Sequence, residues 1–341
     1  SLRQVVVDHT DPAIEYTGQW SIIPVTDDMN FNWNGPTFNN TLHSTSGNSS
    51  LSFTFSGSTV ALIGRANFVS NGGALSPTFS CSVDGIGIQN EGLTQVQTNN
   101  FVFCQCIPGK LQHDGQHQVI MNIAPSSSKQ SFYFERIEYT PSSNVSLSPT
   151  TVRVNYTDPA IRYDAGWNNL PSGDDRHDFV ELTEFAGAEM TFPFVGTSVK
   201  WFGFFPAPYP QNTTTGVYTI DGGSPTSFPI FSGNQDLQAS IFNQLIFQTH
   251  SVDPGSHTLK VTYQGGDGHM ALTLYTLYII NGSVVGGVSA TPTGSGPSTP
   301  TGSSHSVGKA APVGKIVGSV VGGVTVLALC LCLGLWLWHK R

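Results

Sequence analysis

Three stretches hold side chains whose types and spacing could do chemistry. "SGDDRHDF" (Ser172 to Phe179) places Asp174, Asp175 and Asp178 beside Arg176 and His177. A glycosidase needs two carboxyl groups about 5–9.5 Å apart across one sugar. Adjacent carboxylates in a Gly-containing loop read instead as a solvated turn, and no other stretch supplies a counterpart. Asp174 and Asp175 are therefore candidates for hydrogen bonding to a ligand, not for catalysis. "WFGFFPAPYP" (Trp201 to Pro210) ends a strand in three prolines and the rings of Phe204, Phe205 and Tyr209. Rings stiffened by proline make a flat platform for stacking, and a buried loop capping the core is the alternative. Trp33, in an Asn-rich loop, poses the same choice. In "HDGQH", His113 and His117 are four apart, the spacing of a helical metal pair, but the intervening Gly makes a turn. Asp8 and Asp11 could offer oxygen ligands to a cation, yet the duplicated motif described below replaces Asp8 by Asn155. No Gly-x-Ser-x-Gly, His-Glu-x-x-His or phosphate loop occurs. The residues predict a binding protein, with no catalytic residue, metal or cofactor.

The elements that position these residues are predicted to be strands. The chain has 341 residues, and charged types make up 11% of it, against about 25% in an average soluble domain. Ser, Thr, Asn and Gly take their place. The net charge is −8, and no basic stripe is present to meet a phosphate backbone, which argues against nucleic acid. Phe53 and Phe55, Val119 and Met121, and Phe192 and Phe194 recur with the period of a half-buried strand. Asp84-Gly85 and Asp221-Gly222 are turn signals. Many short strands between Gly, Pro and Asn turns predict a β-sandwich or jelly roll.

The strands come twice. "DHTDPAIEY" from Asp8 recurs as "NYTDPAIRY" from Asn155, and Trp20 and Trp167 follow at equal distance. "FTFSGSTVALIG" matches "FPFVGTSVKWFG", "SVDG" matches "TIDG", and "DGQHQVIM" matches "PGSHTLKV". Four landmarks in the same order mark a duplication. His117 and His257 hold matching positions and read as turn or packing residues. The expected organisation is a first sandwich over 1–142, a linker over 143–150 and a second sandwich over 151–281. A Ser/Thr/Pro/Gly-rich stalk then covers 282–315. Uncharged residues 316–338 would rise about 35 Å as a helix, enough to span a bilayer, and 339–341 would be its cytoplasmic end. Gly314, Gly318 and Gly322 give the span a small-residue face that could self-associate.

Asn39, Asn48, Asn144, Asn155, Asn212 and Asn281 each begin an Asn-x-Ser/Thr sequon, and all precede the span. They place the N-terminal part outside the cell. Outside, disulfides persist, and the three cysteines before the span allow one bridge. Cys81 lies on the strand entering "SVDG" and Cys104 on "NNFVFC", so Cys81–Cys104 is expected, with Cys106 left over or substituting for Cys104.

"VDHTDPAIEYTGQW", "SCSVDG", "NNFVFCQC", "DGQHQV" and "FYFERIEY", with "YTIDGG", "FNQLIF" and "PGSHTLKVT" in the second copy, resemble a family of basidiomycete cell-surface proteins. The resemblance implies tandem galactose-binding-like β-sandwiches, a stalk and one transmembrane helix. The second copy departs from it, having Tyr218 and Gln248 near the places of Cys81 and Cys104. The resulting expectation is an all-β, single-pass plasma-membrane glycoprotein that recognises carbohydrate, its partners glycans or cell-wall polysaccharide. The alternatives are a structural or wall-contact sensor protein without a small ligand, and a hydrolase.

Overall fold

Side-chain alternation decides the elements, because only a strand turns every second residue to one side. The computed structural model describes residues 3–30, 34–71, 74–88, 97–111, 115–124, 130–143, 150–171, 179–233 and 236–283. Among these the protein is all-β, with a four-residue helix, Asp27–Asn30, consistent with a sandwich in each repeat. The chain divides into two compact units, Ser1–Thr291 and Pro292–Arg341. The second unit lies outside the described residues, and the 316–338 span with it. No helix among the described residues is long and apolar enough to cross a membrane.

Each repeat builds two layers in the same order. In repeat 1 the first strand, Gln4–Asp8, pairs with the last, Phe132–Pro141. That strand pairs with the C-terminal half of Ser49–Asn67, which pairs with Gln97–Cys106. Repeat 2 repeats this with Thr150–Asn155, Thr276–Gly282, Ser198–Phe205 and Ile241–Gln248. The other layer of repeat 1 contains the N-terminal half of Ser49–Asn67, Gly115–Ala124 and Thr78–Val83. Its counterpart in repeat 2 contains Glu189–Gly196, Gly255–Tyr263 and Thr214–Ile220. Ser49–Asn67 thus passes from layer to layer unbroken, whereas repeat 2 splits it at Thr197. The crossing point is Gly57 in one repeat and Gly196 in the other. A Cβ there would lie 2.2 Å from the Thr140 carbonyl oxygen or 2.8 Å from that of Ile280.

The repeats join through their first strands. Gln4–Asp8 runs antiparallel to Thr150–Asn155 with Val5 opposite Val152. These two valines are equivalent in the duplication, so the pairing lies on a local two-fold axis. The two first layers become one continuous sheet. Each repeat still has its own core, Val5 and Val7 entering one and Val152 and Val154 the other. Opposed residues share a face, so both cores lie on one side of the sheet. Val6 points to the other side, where it packs with Phe202, Tyr278 and Phe38. A buried bidentate ion pair crosses between the repeats: Arg3 Nε and Nη2 donate to Asp158 at 3.0 and 3.2 Å.

The duplicated Thr-Asp-Pro-Ala-Ile-x-Tyr motif is a double turn tied by a tyrosine. Asp8 Oδ1 accepts from Thr10 N at 2.9 Å, and Asp11 Oδ1 from Ala13 N at 2.9 Å. Asn155 and Asp158 do the same for Thr157 and Ala160, both at 3.0 Å. Tyr16 then donates its hydroxyl to the His9 carbonyl at 2.7 Å, and Tyr163 to that of Tyr156 at 2.9 Å. Asx turns need only a short side-chain acceptor, which is why Asn155 can stand where Asp8 does.

Candidate functional site

The proline-rich loop after Ser198–Phe205 divides its rings between core and solvent. Phe204 is buried and stacks on Phe242, with centroids 5.2 Å apart and planes 11° from parallel. That burial removes it from a binding platform. Phe205 is half-buried and meets Phe231 edge-on at 5.2 Å. Tyr209 is partly exposed and closes a turn by donating its backbone N–H to the Pro206 carbonyl at 3.1 Å. Gln211 clamps the loop. Its amide donates to the Ala207 and Leu237 carbonyls at 3.2 and 3.1 Å and accepts from Leu237 N at 2.7 Å. Asn212 ties the loop to the Gly268 carbonyl at 2.6 Å.

Glu184 and Phe185 come to the same end of repeat 2. Partial burial, and then the Glu184 carboxylate, push the Tyr209 phenol above its ordinary pKa. Phe185 is 58% exposed, on a turn closed by Ala188 N donating to its carbonyl at 3.0 Å. Nothing in the Phe185 stretch alone draws attention to it. Comparison of the repeats does, since the duplicated turn is one residue shorter and has Gly47 N on Thr45 Oγ1 where repeat 2 has Phe185 N on Thr183 Oγ1. Tyr209 is thus a partly exposed ring within electrostatic reach of the Glu184 carboxylate, and Phe185, the next residue after Glu184, is an exposed one. Trp33, Asp174 and Asp175 lie outside the described residues.

Other candidates have structural employment. His117 Nδ1 lies 2.5 Å from Asp84 Oδ2, and His257 Nδ1 lies 2.7 Å from Asp221 Oδ2. In both repeats the Asp-Gly pair has positive φ at both residues, the signature of a type I′ hairpin turn. The histidine clips that turn to the next strand. No group of three or more His, Cys, Asp or Glu among the described residues could hold a metal ion. Cys81 and Cys104 form a disulfide, and Cys106 is a buried free thiol. Asn39, Asn48, Asn212 and Asn281 are exposed and Asn155 is half-buried, while Asn144 lies outside the described residues.

The side of the continuous sheet away from the cores carries charge. Arg136 donates to Glu138 at 2.8 Å and to Glu135, and Arg153 Nε lies 3.8 Å from Glu138. Burial raises the pKa of Glu135 against the pull of Arg136. Burial also opposes ionisation of Glu138, but Arg136 and Arg153 hold its carboxyl below the usual range. Phe38 covers part of this face, its ring tilted 53° to that of Tyr278 with centroids 4.7 Å apart, and the Lys200 ammonium lies 5.1 Å from its centre. Beyond it opens a cleft of about 340 Å³, whose lining includes Gln4, Thr59, Gln105, Thr140, Arg153 and Asn155.

No protein-family model and no curated protein matches the sequence. Solved structures similar to the chain include a family two carbohydrate esterase from Cellvibrio japonicus. It is 16% identical with a TM-score of 0.27, over 39% of this chain and 34% of that one. A Paenibacillus xanthan lyase is 12% identical with a TM-score of 0.29, over 78% of this chain and 25% of that one. The ANXUR2 extracellular domain from Arabidopsis thaliana is 10% identical with a TM-score of 0.27, over 82% of this chain and 96% of that one. The chain spans about a third of the length of the esterase and a quarter of the lyase. Likenesses of this size do not extend the activities of those proteins to this chain.

Proposed function

We propose that the chain is a single-pass cell-surface glycoprotein whose two galactose-binding-like sandwiches recognise carbohydrate. The reading rests on the loop end of repeat 2, where Phe185 is exposed, Tyr209 is partly exposed and the Glu184 carboxylate acts on the Tyr209 phenol. Sugar rings present C–H faces to aromatic planes and hydroxyls to carboxylates and amides. Loops fixed by Gln211 and Asn212 lose little freedom on binding, so contacts made there are not offset by ordering. The membrane placement is supported by the uncharged 316–338 stretch and the sequons before it.

The test is a glycan array probed with the full-length chain and with Phe185→Ala and Tyr209→Ala variants. The expected outcome is saturable binding to a subset of glycans. Each substitution should weaken it by about 1–2 kcal/mol, as loss of an aromatic anchor does at other interfaces. Binding that ignores both substitutions would exclude this site, and no binding at all would favour a structural role in wall contact.

A further inference from the structure

We propose that the cleft between the repeats seats the base of an N-linked glycan carried on Asn155, an inference that rests on the reading of the chain as an extracellular glycoprotein. The cleft includes both Asn155 and Thr157, the first and third residues of a sequon. Asn155 lies two residues from Arg153 on the same strand and so shares its face. Its Oδ1 is held by Thr157 N at 3.0 Å and Thr157 Oγ1 at 2.9 Å. Among the described residues no group takes its Nδ2, the atom to which a sugar is attached.

Polar groups run across the floor in register. Arg153 lies opposite Gln4, and Thr140 opposite Thr59. Arg153 Nη1 donates to Gln4 Oε1 at 2.9 Å, and Thr59 Oγ1 to Thr140 Oγ1 at 2.7 Å. Among the described residues the lining mixes hydroxyls, amides and one guanidinium with the apolar Val60, Ala61, Ile107 and Pro108 and the Cys106 thiol, and holds no carboxylate or aromatic ring. Its volume of about 340 Å³ sits at the low end of small-molecule sites, roughly 300–1,000 Å³, room for one or two sugar units. A free sugar without a stacking partner would bind such a floor weakly. A tethered one is held at roughly millimolar effective concentration, so hydrogen bonds alone suffice.

Local symmetry supports an occupant. Arg153 and Ala61, which line the cleft, are equivalent in the duplication to Val6 and Lys200. The latter two are covered by Phe38, a residue of repeat 1 itself. One half of the two-fold face is filled by a side chain of the protein, and the other half has a glycan attachment residue at its rim.

The experiment expresses the full chain in a glycosylating eukaryotic cell and maps occupancy of Asn39, Asn155 and Asn212 by mass spectrometry. Release by peptide-N-glycosidase is then timed without denaturant. Asn155 should be occupied, and its glycan released at least about twofold more slowly than those on Asn39 and Asn212, the protection that a site of millimolar affinity gives at millimolar effective concentration. Arg153→Lys, or Gln105→Ala at the exposed rim, should abolish that protection. Occupied Asn39 and Asn212 beside an empty Asn155 would overturn the inference alone. If Asn48, Asn144 and Asn281, mapped in the same digest, were empty as well as these three, the glycoprotein reading would fall too. Equal release rates, or protection surviving both substitutions, would show that the cleft does not hold the glycan.

Discussion

Single hydroxyls and imidazoles set the local stability of the duplicated corner. Tyr16 and Tyr163 each end seven residues upstream on a carbonyl, so Tyr16→Phe and Tyr163→Phe should each cost about 1 kcal/mol in denaturant unfolding. The corner of repeat 1 also titrates. His43 Nδ1 donates to the His9 carbonyl at 2.9 Å and lies 3.0 Å from His9 Nδ1, while His9 Nε2 lies 2.9 Å from Thr41 Oγ1. Burial lowers the pKa of both rings below 6.5, although Asp8 opposes the shift. The unfolded chain therefore takes up these protons first. Their contribution is complete above about pH 6.5 and declines as pH falls below it. The urea midpoint should fall between pH 7.5 and pH 5, and less steeply in a His43→Gln variant. A His43→Gln profile parallel to the parent's would remove these rings as the cause.

At the scale of elements, the layer crossing is the least tolerant feature. Gly57→Ala and Gly196→Ala bring a methyl against backbone carbonyls, and overpacking of this kind costs about 1–3 kcal/mol. Thermal unfolding of the two variants would show it, and an unchanged midpoint would mean that the crossing relaxes. The strands themselves were legible, because alternation at Phe53/Phe55 and Phe192/Phe194 is a local signal. Their repetition was legible because the corner and the Asp-Gly hairpins need particular residues. The union of Gln4–Asp8 with Thr150–Asn155 was not. Both first strands carry the same pattern, and nothing in either says that its free edge meets the other. The split between Phe204 and Tyr209 was also hidden, since it depends on Phe242 arriving from another strand. So was the employment of Asn99, which donates to the Met29 and Gly35 carbonyls at 2.8 and 2.9 Å. An amide that braces a loop looks in sequence like any solvated Asn.

For the whole molecule, the halves are fastened differently. Repeat 1 carries the Cys81–Cys104 bridge across 23 residues, a closure typically contributing about 2–4 kcal/mol, and repeat 2 carries none. Mild reduction should accelerate amide exchange in Ser49–Asn67 and Thr78–Val83 and leave Glu189–Gly196 unchanged. Equal acceleration in both would mean that the shared sheet makes them unfold as one. That shared sheet also speaks of ancestry. Strands that pair antiparallel about equivalent valines have the geometry of an isologous contact, in which one surface meets its own copy. A single-repeat ancestor that dimerised edge to edge would become this protein once the two genes fused. Repeat 2 expressed alone would then revert to that condition. Its Thr150–Asn155 edge would find a second copy of itself, and sedimentation should report dimers that a Val152→Pro substitution dissociates.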